Sequence, residues 1–362
     1  MRRRLATLAA AALTVALLVP VASVSAASVI YVRPGQSIQA AINKAPAGSL
    51  ISVERGTYRG NLEIKRSLRL IGHDTVIVPA AKPTKNFCST PGVVRGVTGV
   101  CVHAVFSADG QSIVTPVSKV SIQGFTIQNF SGPGIVALGV GGFRAAHNVT
   151  AHNETGILIN SVSNLSLLYN TAYGNSAEGF LVLDSPAANA AIIGNRLYDN
   201  LSSGILFLDS LGGRIALNTV YGNCSGIAVV AAAESDVIPS SGDVSIQLNQ
   251  VTANNRMCPD LTAEGGPPAY GGIGIGLLGA RNTVVALNDV RGNVEQTGSG
   301  ITGGGIVILD GAMFGAAPPT GNTVRLNWLS GNTPNDIYGD GTGSTNTISG
   351  NVCTTTNLTG AC

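Results

Sequence analysis

Three aspartates share one place in the spacing of this chain. Asp184, Asp209 and Asp310 each lie five residues past a glycine, namely Gly179, Gly204 and Gly305. If each glycine opens the same strand of a repeated unit, Asp184 and Asp209 fall on adjacent units with backbones ~5 Å apart. Two carboxylates that close could share a proton, bind calcium, or act as acid and base on a glycosidic bond. These three are the candidate catalytic residues, and calcium is the cofactor their chemistry would suit. A structural role competes. Alternation from Ile205 and Phe207 aims Asp209 inward, and an aspartate at a strand end commonly accepts hydrogen bonds from turn amides.

A second set is aromatic and cationic. Tyr173, Tyr198 and Tyr221 recur at one position of successive units, with Arg196 two residues before Tyr198. Arg256 and Tyr270 lie on the segment 255–271, which also carries Asp260 and Glu264. Aromatic groups beside arginines suit sugar rings, so these six are the candidate binding residues. An ordinary solvent-facing sheet gives the same pattern, because tyrosine has good β propensity. No metal-ligand set is apparent. His73, His103, His147 and His152 are the only histidines. His147 and His152 are five apart, at different corners of one unit.

The element that must position all of these is a repeat. Asparagine pairs spaced by five recur at Asn148/Asn153, Asn170/Asn175, Asn195/Asn200, Asn218/Asn223, Asn249/Asn254, Asn288/Asn293 and Asn327/Asn332. Gly124/Asn129 starts the series and Asn351 closes it. Successive pairs are 22 to 25 residues apart, or 31 to 39 where a loop intervenes. A fixed inner spacing with a variable outer one means a single structural unit with loops added at tolerated points. Within a unit such as Ala191 to Ser210, short apolar stretches alternate with turn residues and none is long enough for a helix. Three short strands per unit, stacked along an axis, make a β-solenoid. The first residue of each pair is expected at a sharp bend of positive φ, which Gly and Asn tolerate best. Stacked asparagines are expected to form a hydrogen-bonded amide ladder. That makes them scaffold rather than ligands or required glycosylation sites, despite Asn-x-Ser/Thr matches at Asn164 and Asn200.

The ends and the composition set the compartment. Arg2 to Arg4, an apolar run to Pro20 and small residues to Ala27 predict a secretory leader over residues 1–27. One elongated domain is expected over 28–362. Without the leader, the 21 Lys and Arg fall to 18 against 19 Asp and Glu, which excludes nucleic-acid binding through a basic field. No later apolar run is long enough to cross a membrane as a helix. Six cysteines in a secreted chain predict three local disulfides, Cys88–Cys101, Cys224–Cys258 and Cys353–Cys362.

With the repeat laid out, the chain resembles the right-handed parallel β-helix superfamily, the pectate-lyase-like group. Residues 29–79 resemble the N-terminal segment of pectinesterase-like and NosD-type proteins. GTY-x-G at Gly56 to Gly60 matches their G-x-Y pattern, with Gly60 where an acidic residue is common. The resemblance implies an all-β, right-handed parallel β-helix with a short N-terminal helix, SIQAAINKA. Ser37 caps this helix, which plugs the open core. It also implies a protein that acts on or binds extracellular polysaccharide, with lyase- or hydrolase-like chemistry. The alternative is a non-catalytic surface or binding protein using the solenoid as a rigid platform. The calcium aspartates and arginine motif of pectate lyases are missing. So are the N-T-D, G-H-G and R-I-K signatures of polygalacturonases and the D-F-I-F-G of pectinesterases.

The family layout puts active sites on the outer face of the first strand. Insertions at 80–118, 231–243, 255–271, 294–304 and 311–321 would wall it. Yet the outward positions of that strand include Val136 and Leu138, Leu158, Leu181 and Leu183, Leu206 and Leu208, Val307 and Leu309. An apolar outer face implies cover. It is supplied by the insertion 80–118, by the later loops, or by a second copy in a homo-oligomer.

Overall fold

The structure is a computed structural model that describes residues 27–90, 92–107, 112–232, 241–264 and 266–362. The expected leader lies outside the described residues apart from Ala27, as do parts of the insertions 80–118 and 231–243.

Apolar triplets separated by corner residues cannot propagate a helix, so each pairs with the equivalent triplet one coil away. The result is a parallel β-helix. First strands form a ten-stranded sheet running from Leu62–Ile64 to Ile337–Gly339. Second and third strands join in a twenty-stranded sheet, because Leu68–Val78 and Val117–Gln128 run through the bend between them. Register holds along the axis: Ile135, Ile157, Phe180, Ile205, Ile227, Ile275, Ile306 and Ile337 stack in one column. All eight are fully buried, and columns like this one make the core.

The bends between strands carry two amide ladders. In the first, Asn148 Nδ2 donates to Asn170 Oδ1 at 3.1 Å, and the chain of donors continues through Asn195, Asn218, Asn249, Asn288 and Asn327 to Asn351. In the second, Asn175 leads through Asn200, Asn223, Asn254 and Asn293 to Asn332. Each Oδ1 also accepts the backbone N–H of its counterpart on the preceding coil, as Asn218 Oδ1 does from Asn195 N at 2.9 Å. Each Nδ2 reaches an interior carbonyl, as Asn218 does at Ile192 O, 2.9 Å away. Every one of these asparagines is at most 4% exposed. Burial without loss of hydrogen bonds is what lets a polar column run beside an apolar core. Asn200 is fully buried within its ladder, out of reach of a glycan.

The expected site of positive φ is corrected by one residue. The left-handed residue precedes the asparagine: His147, Tyr169, Leu217, Leu248, Leu287 and Leu326 at the first bend, and His152, Asp199 and Ala253 at the second. Asparagine itself must turn its amide inward, so its neighbour takes the left-handed conformation and points outward. Leu217 is 55% exposed and Leu326 54%. Gly124 and Asn129 are themselves left-handed, so they match the neighbours rather than the ladder. Phe125 and Phe130 stand at the ladder positions of that coil, their N–H groups donating to Asn148 and Asn153.

Both ends of the core are closed. The helix Ile38–Lys44 is N-capped by Ser37, whose hydroxyl accepts from Ala40 N, and it buries Ile38, Ala41 and Ile42. At the other end, Leu358 and Ala361 pack on the core within the tail that Cys353–Cys362 ties back. The other two expected disulfides, Cys88–Cys101 and Cys224–Cys258, are present. The insertion 80–118 is more than a loop: Val100–His103 within it is a rung of the first-strand sheet, paired with Ile135–Leu138.

Candidate functional site

Three third strands, Thr171–Tyr173, Arg196–Tyr198 and Thr219–Tyr221, place Tyr173, Tyr198 and Tyr221 in register on the outer face. Their rings stack with centroids 5.0 and 5.1 Å apart and planes within 3°. The edge of His152 closes one end, 5.3 Å from Tyr173. Arg196 lies 4.8 Å from the Tyr198 ring and 5.4 Å from that of Tyr221, and its guanidinium donates to the Tyr221 hydroxyl. Asp199 occupies the left-handed corner after Tyr198 and pairs with Arg256 at 3.2 Å. Five of the six candidate binding residues therefore share one patch. Stacking uses both faces of Tyr198, so the ladder offers ring edges and phenol oxygens rather than open faces. Partial burial, with Tyr173 beside it and Arg196 opposing, holds the Tyr198 phenol above its ordinary range. It therefore stays protonated at neutral pH.

Tyr270 is elsewhere. Its hydroxyl is enclosed against Ser203 and Ser225, and burial pushes its pKa up. Those two serine oxygens are 2.7 Å apart. Together with Cys224–Cys258, this contact pins the segment 255–271 onto the opening of the first strands. Beside Tyr270 lies a polar corner that sequence reasoning missed. Glu178 accepts from Ser202 at 2.9 Å and from Thr155 at 3.4 Å. Glu154, one coil earlier, is half-buried. Burial raises its carboxyl pKa, helped by Glu178 and opposed by the Thr155 hydrogen bond and by Arg95. Glu154 Oε2 is buried with no hydrogen-bond partner among the described residues. The available signal was their position just before the strand-opening Gly156 and Gly179.

The three aspartates sit at first-strand ends. Asp184 is exposed and accepts from Asn160 Nδ2 at 3.2 Å. Asp209 is 5% exposed and accepts from Ala232 N at 2.8 Å. Asp310 accepts from Ala312 N at 3.0 Å. Asp184 and Asp209 follow the paired residues Leu183 and Leu208, so they are neighbours, whereas Asp310 is three coils further on. Asp310 caps its own turn, whereas Asp209 ties its strand end to the next coil through Ala232 N. Among the described residues no group of three His, Cys, Asp or Glu side chains converges, so calcium at Asp184 and Asp209 would find two protein carboxylates.

The apolar first-strand face is covered from both ends by the protein's own insertions. Phe87, Val93, Val94 and Phe106 lie over Val136 and Leu138. Ala232, Ile301 and Phe314, from three later insertions, pack over Ala228, Val230, Leu278 and Val307. Between the two covers Leu158, Leu181, Leu183, Leu206 and Leu208 remain half-buried.

A family model described as a right handed beta helix region matches residues 113–361. Among solved structures the chain is similar to the A-module of mannuronan C-5 epimerase AlgE4 of Azotobacter vinelandii, with a TM-score of 0.58 and 18% identity over 89% of this chain and 93% of that one. It is also similar to the A-module of AlgE6 of the same organism, at 0.51 and 16% over 89% and 94%. A mutant of the periplasmic alginate epimerase AlgG matches at 0.52 and 15% over 89% and 83%. At these identities the likeness is one of fold. No curated protein matches the chain in sequence.

Proposed function

Because the chain belongs to the right-handed β-helix family, we propose that it is a secreted protein that binds extracellular polysaccharide along its third-strand ladder. The observation that carries this reading is the column of Tyr173, Tyr198 and Tyr221 with Arg196 across it. Phenol oxygens repeat every coil, at ~4.8 Å, close to the length of one pyranose residue in an extended chain. A sugar chain laid along the axis would meet a donor or acceptor at each step. Arg196 and Arg256 would contact hydroxyl or acidic substituents. The names of the similar structures, epimerases of mannuronan and alginate, support polysaccharide as the ligand class. The leader and the three disulfides support an oxidising, extracellular location.

Tyr198→Phe keeps the stack and removes one hydroxyl, so it tests the ladder without unfolding it. Affinity electrophoresis against a polysaccharide panel should show weakened binding, and Arg196→Ala should lower affinity by about tenfold. Unchanged mobility of both variants in every gel would exclude the ladder as the binding surface.

A second reading is catalytic, and the Glu154–Glu178 corner favours it. A carboxyl held toward its protonated form beside a second carboxylate, an arginine and a phenol is suited to lyase- or hydrolase-like proton transfer. Turnover of any panel member that Glu154→Gln abolishes, with Tm unchanged, would establish this reading. Absence of turnover across the panel leaves the binding reading alone.

A further inference from the structure

The N-terminal end of the solenoid holds a cleft of about 800 Å³ between the helix Ile38–Lys44, the strand Gly56–Arg59 with the residues after it, and residues 84–86. That volume is within the range of ligand sites, ~300–1,000 Å³. Four cations line it, Arg59, Lys65, Arg66 and Lys85, against one carboxylate, Glu63. Glu63 is already engaged: its Oε1 accepts from Phe87 N at 3.0 Å and faces His103 Nε2 at 3.2 Å. Arg66 spends one N–H on Ala45 O, at 2.9 Å. Arg59, Lys65 and Lys85 are exposed and enter no ion pair among the described residues.

On the same lining, Asn86 Nδ2 is a buried donor with no partner among the described residues. What the exposed lining of the cleft leaves unmet is thus positive charge. Four cations in one concavity reverse the balance of a chain that has 18 Lys and Arg against 19 Asp and Glu beyond its leader. Concave walls of low dielectric concentrate such a field on whatever enters.

We propose that this cleft binds a segment of acidic saccharide, through the carboxylate or sulfate groups of an anionic polysaccharide. The saccharide part rests on the polysaccharide reading above; the charge rests on the cleft alone. Lysines bind such groups as point charges, so affinity should fall as salt rises. The site is separate from the tyrosine ladder, which makes the two readings testable independently.

The test is calorimetry on the full secreted chain, using short oligosaccharides of polyuronate, of a sulfated glycan and of a neutral glucan, with inorganic phosphate as control. The variants are Lys65→Glu with Lys85→Glu, and Tyr198→Phe. Both lysines are exposed, and circular dichroism of each variant would check that the fold is kept. Binding of one or both acidic oligosaccharides is expected, with the preferred anion naming the source. The charge reversal should weaken that binding about tenfold or more and leave neutral-glucan binding, which does not call on the cleft cations, unchanged. Acidic binding unmoved by the charge reversal, or no acidic binding at all, overturns the proposal. Phosphate bound as tightly as the oligosaccharides overturns the saccharide part. Loss of neutral-glucan binding in Tyr198→Phe concerns the ladder alone, so failure of one reading is distinguishable from failure of the other.

Discussion

Asn218→Leu is expected to cost at least ~4 kcal/mol and to lower the unfolding midpoint more than any surface change. The side chain is 1% exposed. It accepts from Asn195 N and Asn195 Nδ2 at 2.9 Å each, and it donates to Ile192 O at 2.9 Å and Asn249 Oδ1 at 3.0 Å. Leucine fills the same volume but answers none of the four. Each buried group left unsatisfied costs ~1–3 kcal/mol, and water has no access there. Each coil is held only by its neighbours, so the damage should spread along the axis. Hydrogen exchange would show lost protection first at Asn195, whose N–H donates to the Asn218 side chain. A midpoint shift worth less than ~1 kcal/mol would mean that the ladder is incidental and the apolar columns alone hold the fold.

The second large effect is expected at Asp336. The amide ladders point one way, every Nδ2 donating toward the C-terminal coil, so each presents unspent N–H at that end. The second ladder stops at a carboxylate: Asn332 Nδ2 donates to Asp336 Oδ1 at 2.8 Å. Thr354 N and Thr354 Oγ1 donate to Asp336 Oδ2 at 2.9 and 3.0 Å. The residue is fully buried. Burial alone would raise its pKa, but the hydrogen bonds from Thr354 and Asn332 together hold it below the ordinary carboxylate range. Asp336→Ala strands all of these donors and should cost ~3 kcal/mol or more.

The sign of the pH effect follows from the lowered pKa. Asp336 contributes fully above the unfolded value of ~3.9, and its contribution disappears as pH falls through the lower folded value. The wild type should therefore lose stability on acidification below about pH 4 more steeply than Asp336→Ala. Equal slopes for the two proteins, measured by thermal melts between neutral pH and pH 3, would refute the assignment.

The fold was legible because the asparagines combine two signals, an inner spacing of five and an outer spacing that varies. Only a stacked coil requires both. The left-handed corner was less legible because its occupants differ in type. Histidine, tyrosine, leucine, alanine, aspartate and glycine all serve there, and nothing in that mixture marks a shared conformation. Val100–His103 went unseen as a rung because no asparagine pair accompanies it.

At the candidate site, spacing placed the tyrosines in one column but could not say that their rings would stack on each other. That depends on rotamers, which a periodic pattern does not encode. Glu154 and Glu178 escaped notice because they stand two and one residues before their glycines, so no fixed offset links them. Tyr270 lies on an insertion whose path is set by Cys224–Cys258 and by the Ser203 and Ser225 contact. Neither is written in the spacing of the repeat.

The three disulfides have a mechanical consequence. They span 13, 34 and 9 residues, so none reaches beyond an adjacent coil. No covalent tie runs the length of the molecule. Under tension applied at its two termini, the chain would not resist as one body. It would peel from whichever end yields first, one coil at a time, with a step of force for each rung released.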